Sequence, residues 1–206
     1  MGVYEDGGKA QEAVMRNFLK LFLFVALIML TGCAGASPYM RKATPVEELS
    51  SGKARVYFMR PSGLGFAIHF QIWDRYRLIG LSQAKSYFTY ECEPGKYLFI
   101  GRAENKRAVE ADLEAGRSYY IITQVKMGAW KARMGFIPVT RGSEFWDKVE
   151  EYKKELNFVE PEKEVIAEWE SKRKAAAQKE ISEIISYIQT PEGKKYVLPL
   201  NKEDGR

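Results

Sequence analysis

Three side chains of this chain are of the types that act most often as nucleophiles or metal ligands: Cys33, Cys92 and the single histidine, His69. Zinc and haem sites need several such ligands together, and the sequence contains no Cys or His cluster. Neither a Gly-x-Ser-x-Gly frame nor a phosphate-binding glycine loop is present. We therefore predict a noncatalytic protein without metal or cofactor, in which His69 is a structural residue.

The N-terminal region contains a short apolar run, Leu21 to Leu30, which follows Arg16 and Lys20. A helix that crosses a bilayer needs roughly 20 apolar residues, so a run of about ten is too short for a permanent span. A basic start, a short apolar run and small residues are typical of an export signal, which we place at residues 1–32. Because acidic residues precede the basic start, we expect Met15 to be the true first residue.

The apolar run ends in Leu30-Thr31-Gly32-Cys33, which is an aliphatic residue, two small residues and a cysteine. This sequence resembles the lipobox of bacterial lipoproteins. The resemblance implies a lipid on Cys33, cleavage between Gly32 and Cys33, and acylation of the new amino terminus, for example with palmitate. Two or three acyl chains anchor a protein stably to a membrane. The alternative is an ordinary cleaved signal followed by a free cysteine.

The resemblance to lipoproteins also implies a location in the cell envelope. Ala34, rather than an aspartate, follows the cysteine. By resemblance to lipoprotein sorting, this favours the outer membrane, facing the periplasm, if the host has two membranes. That compartment excludes nucleic acid as a partner. Cys92 has no cysteine partner in the mature chain, so we predict a buried thiol without a disulfide.

The chain has a net charge of +5 at pH 7, and the basic residues in excess lie in the region of the predicted strands. A basic face toward anionic lipid or cell-wall polymer is one interpretation. Solvated sheet edges protected by Lys and Arg are the interpretation that we favour. The basic residues are Arg55, Arg60, Arg75, Arg77, Lys85, Arg102, Lys106, Arg107, Lys131 and Arg133.

The mature chain divides into a tether and a strand-rich domain. Residues 33–52 are Ala, Ser, Pro and charged residues without an apolar period, which favours a flexible tether. Residues 53–140 contain short β-rich runs separated by turn residues, which predict an antiparallel β-sandwich of about seven to eight strands. The runs are Arg55–Met59, Ile68–Trp73, Leu78–Leu81, Tyr87–Cys92, Tyr97–Ile100, Ala108–Leu113, Tyr119–Val125 and Trp130–Ile137.

Helical patterns follow the predicted sandwich. Within residues 141–158, Ser143 is a candidate cap for a helix that would pack on the sandwich. Residues 159–206 predict a C-terminal helical arm and tail, with the helix running from Pro161 to about Tyr187. This arm either packs on its own domain or projects toward a partner or a second copy of the chain.

Spaced features of the strand region resemble the bacterial family called domain of unknown function 2846, which has a carboxypeptidase-regulatory-like β-sandwich. They are Val56-Tyr57-Phe58-Met59-Arg60-Pro61, Ser86-Tyr87-Phe88, Glu93-Pro94-Gly95-Lys96-Tyr97, and Leu113-Glu114-Ala115-Gly116-Arg117-Ser118-Tyr119-Tyr120. The resemblance covers about residues 52–139 and supplies no catalytic residues. We single out Arg60, which closes an apolar strand. It would form a salt bridge, which we favour, or contact an anion or a partner.

Three hypotheses for function follow from these features. The first is a noncatalytic, lipid-anchored envelope protein whose sandwich and helical arm bind another envelope component, most simply a protein. The alternative is a lipoprotein that holds a glycan or lipid on an exposed aromatic face of the sandwich. The third is an unrecognised hydrolase, which requires His69 to be accessible and close to a serine or carboxylate.

The lipid anchor gives the first testable prediction. Cys33→Ala removes the sulfur that would carry the thioether-linked lipid in the lipobox, so we expect an unprocessed or unlipidated chain that no longer sediments as the mature protein with membranes. Gel mobility and membrane fractionation of the two chains measure this. Unchanged size and unchanged sedimentation would contradict the assignment.

Overall fold

The computed structural model describes residues 37–102, 105–127 and 132–206, and the single positions Met15, Asn17 and Lys20. The chain divides into two units, Met1–Ala34 and Gly35–Arg206, and the strands of the described residues all belong to the second unit. No helix among the described residues is long and apolar enough to cross a membrane. The predicted export signal, cleavage site and lipobox, with Leu30, Thr31, Gly32 and Cys33, lie outside the described residues.

Eleven strands and two α-helices form within the described residues. The strands are β1 (Met40–Lys42), β2 (Ala54–Arg60), β3 (Phe70–Asp74), β4 (Arg77–Ser82), β5 (Ser86–Cys92), β6 (Gly95–Arg102), β7 (Lys106–Leu113), β8 (Ser118–Met127), β9 (Ala132–Pro138), β10 (Asn157–Pro161) and β11 (Val197–Leu200). The helices are α1 (Val149–Glu155) and α2 (Lys163–Ile188), and 3-10 turns occupy Gly193–Tyr196 and Lys202–Asp204.

The strands form two sheets that pack face to face as a sandwich. Sheet I has the order β1-β10-β5-β2-β8-β9, and sheet II has the order β11-β7-β6-β3-β4. The prediction of a mainly β sandwich followed by a C-terminal helix is confirmed. The eight predicted strand runs correspond to β2 to β9, and β1, β10 and β11 are additional. The sheets are mixed, because β2 lies parallel to β8, β10 to β5, and β11 to β7.

The core between the sheets is built from alternate residues of each strand, since successive side chains of a strand point to opposite faces. Phe58 of β2 stacks on Phe88 of β5 with ring centroids 5.0 Å apart. The same Phe58 ring meets Phe99 of sheet II edge-on at 5.2 Å. These three rings are all but inaccessible to solvent and join the two sheets at the centre of the molecule.

The outer face of sheet I is also apolar, and α1 covers it. Tyr57, Tyr87 and Tyr120 lie on this face, with the rings of Tyr57 and Tyr120 stacked at 4.8 Å. Val149 and Leu156, at the two ends of α1, complete the cluster. This explains why β8 is apolar on both faces. The predicted helix over 141–158 is shorter than expected, since α1 begins after Lys148 and Ser143 does not cap it.

The outer face of sheet II is covered by α2. Ile181, Ile184 and Ile188 of the helix are buried against Trp73 of β3 and Ile100 of β6. The three isoleucines recur at intervals of three and four residues, which places them on one face of the helix. The helix therefore packs on its own domain, which is the first of the two predicted alternatives. Pro161, predicted as the first helical residue, instead ends β10.

The predicted tether differs most from the structure, because its described part belongs to the fold. β1 pairs antiparallel with β10, and the side chain of Met40 is buried. The amide of Ala43 donates to the carbonyl of Phe158 at 3.2 Å. Farther along, the guanidinium of Arg55 donates to the carbonyls of Glu47 and Glu48. Residues 33–36 of the predicted tether lie outside the described residues.

The packing of α2 gives a stability prediction. Ile181 is fully buried, so Ile181→Ala should lower the free energy of unfolding by about 2–5 kcal/mol through lost burial and a cavity. Glu183→Ala, on the exposed side of the same helix, should change it by less than about 0.5 kcal/mol. Urea unfolding of the two variants measures the difference. Equal stabilities would contradict the docked helix.

Candidate binding groove

A groove of about 910 Å³ lies between the C-terminal part of α2, strand β11 and the adjoining strands of sheet II. Its apolar lining comes from three parts of the fold that are distant in sequence: sheet II, α2 and β11. The packing of α2 and the pairing of β11 on sheet II bring these parts together. The apolar residues are Leu98 and Ala111 of sheet II, Ile185 and Ile188 of α2, and Val197, Pro199 and Leu200 of β11. Binding sites for small ligands and peptide side chains fall in this range of volume.

The turn between α2 and β11 fixes the position of the groove. The hydroxyl of Thr190 donates to the carbonyl of Tyr187 at 2.7 Å and accepts from the amide of Gly193 at 3.0 Å. A Cβ on Gly193 would lie 1.9 Å from the carbonyl oxygen of Tyr187, so only glycine fits there. The predicted helix stop at Thr190-Pro191 is confirmed, and the chain then returns as β11 parallel to β7.

Charges of both signs surround the apolar lining. Arg75, Lys96 and Lys194 contribute basic groups, and Glu110 and Asp112 contribute acidic groups. Lys96 and Asp112 are cross-strand partners in β6 and β7. The backbone amide of Arg75 donates to the carbonyl of Leu98 at 3.0 Å, which fastens the β3–β4 hairpin to the rim of the groove. The groove therefore matches a ligand with an apolar centre and both kinds of charge.

The aromatic residues of the sandwich do not form an exposed face. Tyr57, Tyr87 and Tyr120 are buried under α1, and Phe58, Phe88, Phe99 and Phe136 are buried between the sheets. Among the described aromatic residues, Phe66 and Tyr76 are the two that are largely exposed. Within the described part of the sandwich these buried rings do not form an exposed aromatic face, and the glycan or lipid alternative stays a prediction.

Arg60 is fully buried at the end of β2, and its partners are backbone carbonyls. One terminal nitrogen donates to the carbonyls of Ile68 at 2.6 Å and Ser82 at 3.4 Å. The other donates to the carbonyls of Leu64 at 2.7 Å and Gly65 at 2.8 Å. Burial lowers the pKa of the guanidinium. The favoured salt bridge is absent among the described residues, and the guanidinium holds a loop rather than contacting an exposed partner.

Arg55 lies at the other end of β2 and is also buried, which contradicts the interpretation of these arginines as solvated edge residues. Its Nε donates to Glu91 at 2.9 Å, and a terminal nitrogen donates to the hydroxyl of Tyr57 at 3.3 Å. Burial opposes the charged form, but these hydrogen bonds and charges outweigh it and raise the pKa of Arg55. The same contacts, with one from Ser50, lower the pKa of Glu91 despite its partial burial.

His69 and Cys92, the other described side chains considered for chemistry, lie in different parts of the sequence and the fold: His69 precedes β3 and Cys92 ends β5. His69 is half-buried between the β2–β3 loop and β3. Cys92 is buried at the end of β5, and burial raises the pKa of its thiol to about 11. A thiol with such a pKa is protonated at neutral pH and is therefore a poor nucleophile. Within the described residues, no group of three or more His, Cys, Asp or Glu side chains could hold a metal ion.

Comparison of the chain with models of protein families, with curated proteins and with solved structures finds no match. The resemblance to the domain of unknown function 2846 family thus stays a prediction from the motifs of the strand region. The groove was not predicted, since its lining is assembled from residues between 75 and 201 that share no motif. The short apolar run Val197–Leu200 is the one stretch of the sequence that could have indicated the groove.

Proposed function

We propose that this chain is a noncatalytic, lipid-anchored protein of the bacterial envelope that binds a segment of another envelope protein in the groove beside α2. The anchor rests on the sequence from Leu21 to Cys33, which resembles a lipoprotein signal. The binding role rests on one observation: an open groove with an apolar centre and charged rims on a domain whose remaining apolar faces are covered.

A peptide segment suits this groove better than a sugar or a bare acyl chain. Sugars bind on exposed aromatic rings, and the described aromatic faces are covered by α1 and by the opposite sheet. An acyl chain offers no polar or charged group to the rim residues Lys96, Glu110 and Asp112, whereas a peptide does. A peptide offers apolar side chains that can pack on Ile185 and on Val197 and Pro199, the neighbours of Leu198 in β11. It also offers charged and backbone groups that can pair with the rim residues.

The whole C-terminal region is unsuitable for a truncation experiment. Removal of residues after Glu160 would delete α2 and β11, and would expose Trp73, Ile100 and Ala108, which the helix buries. The shortened chain would lose binding through unfolding. Point substitutions on exposed rim residues separate the role of the groove from the stability of the domain.

We expect a photo-cross-linking amino acid at Gln189, an exposed groove residue, to capture a defined protein in intact cells. Reversing two rim charges with Lys96→Glu and Lys194→Glu should reduce the yield about tenfold, because it makes the rim strongly acidic. Mass spectrometry of the cross-linked product identifies the partner and measures the yield.

The matched control reverses two exposed lysines away from the groove, Lys163→Glu and Lys174→Glu, and should leave the yield unchanged. A second cross-linker position at Lys172, on the solvent side of α2, should not capture the same protein. Equal capture from Gln189 and Lys172, or an equal effect of the two charge reversals, would contradict binding in the groove.

A further inference from the structure

The groove beside α2 is a part of the outer face of sheet II that the helix leaves uncovered. The helix crosses the sheet from β3 to β7. At β3, the rings of Trp169 and Trp73 have centroids 5.9 Å apart. At β7, the amine of Lys106 lies 4.6 Å from the ring centroid of Tyr187. The helix covers the row of outward-facing residues that contains Ile100. The next outward residue of each strand lies two positions farther along, and this second row lines the groove.

We call this second row the open row, and its members are Pro199 of β11, Glu110 of β7, Leu98 of β6 and Arg75 in the β3–β4 turn. Pro199 and Leu98 are the strand partners of Glu110 on its two sides. The backbone amide of Arg75 donates to the carbonyl of Leu98. Because neighbouring strands lie about 4.8 Å apart, the open row places Glu110 and Arg75 roughly 10 Å from each other.

Glu110 is an exposed carboxylate between two apolar neighbours, and no salt bridge engages it among the described residues. Asp112, the next outward residue of β7, has a different environment. Lys96 is its partner in β6, and the amine of Lys202 lies 3.9 Å from its carboxylate. A ligand that lies in the groove removes water from Glu110, and the strand partners of this residue supply no charge in place of that water.

Arg75 is the cation of the open row and lies at its end. Its side chain is exposed and forms no salt bridge within the part of the chain that the structure describes. The carboxylate of the preceding residue, Asp74, accepts a hydrogen bond from the hydroxyl of Tyr90 at 3.0 Å. Leu98, which is buried, separates Arg75 from Glu110. From β11 to the turn, the open row is therefore apolar, negative, apolar and positive.

The space above the open row suits an α-helix that lies beside α2. The open row and the row of Lys96 and Asp112 lie about 7 and 14 Å along the strands from the row that α2 covers. Helices that pack side by side have axes about 8–10 Å apart, so a second helix would lie over these two rows. On one face of a helix, residues i and i+7 are about 10.5 Å apart along the axis. This distance matches the separation of Glu110 and Arg75.

We propose that the groove binds an amphipathic helix of the partner protein. The side of this helix that faces the groove carries a basic residue that pairs with Glu110, an acidic residue seven positions away that pairs with Arg75, and an apolar residue between them that packs on Leu98. The inference rests on the proposed function and deepens it, because it states the chemistry of the partner segment. An ionised group that loses water needs the opposite charge, so a helix with an acidic or an uncharged residue over Glu110 is rejected. Glu110 thus determines specificity.

A phage-displayed library of helical peptides, about four turns long and randomised along one face, tests the inference on the purified full chain. We expect the selected peptides to carry a basic and an acidic residue seven positions apart at least fivefold more often than the library does. A photo-cross-linking amino acid at Gln189 of the groove should capture these peptides. Fluorescence anisotropy of a selected peptide measures its affinity, which Glu110→Gln should reduce about tenfold, because this change removes the charge that the basic residue pairs with.

Reversal of a single charge should change which peptides are selected. Selection on Glu110→Arg should yield peptides that are acidic at both positions. The matched control is Glu151→Arg, which reverses an exposed carboxylate of α1 and should yield the original pattern. Urea unfolding shows whether the variants remain folded, and Glu110→Gln, which keeps the size of the side chain, carries the test if Glu110→Arg does not fold.

Two kinds of failure are distinguishable. Peptides that are captured from Gln189 but lack the charge pair, or that bind Glu110→Gln as tightly as the unaltered chain, would overturn the inference and leave the groove as a peptide site. A selection that enriches no peptide, or only peptides that Gln189 does not capture, would overturn the peptide groove and the inference together.

Discussion

Strand β2 carries a buried arginine at each end, and the course of the chain before and after the strand depends on these two guanidinium groups. A guanidinium has five N–H donors and cannot be deprotonated, so its burial is stable only where acceptors surround it. Arg55 finds them in Glu91, the hydroxyl of Tyr57 and the carbonyls of residues 47 and 48. Arg60 finds them in four carbonyls. Each arginine therefore fixes a backbone segment that has no regular structure of its own.

The two segments held in this way are tied to opposite ends of β2. Arg55 and β1 hold residues 37–52 against the sandwich. Arg60 shapes the loop that exposes Leu64 and Phe66. On the opposite sheet, α2 and β11 close the outer apolar face and leave the groove open beside them. The groove is thus the open apolar surface on which the proposed binding function rests.

The sequence predicted the local elements better than the contacts between them. β2 to β9 were found because their apolar residues are continuous or alternate between turns that contain glycine or proline. β1 and β11 have three and four residues and form only because β10 and β7 offer them an edge. Arg55 was counted among the residues that protect solvated sheet edges, and Arg60 was expected to form a salt bridge or to contact an anion or a partner. The acceptors that allow their burial come from residues that no local pattern connects.

The measurement that tests this account most directly is hydrogen exchange of the chain over residues 37–52. Because β1 pairs with β10 and Arg55 binds the carbonyls of Glu47 and Glu48, we expect the hydrogen-bonded amides near Met40 and Ala43 to exchange on the order of 100-fold slower than in an unfolded chain. Arg55→Met should speed the exchange of this segment more than that of β8. Exchange at the unfolded rate in the unaltered chain would show a free tether and would contradict the account.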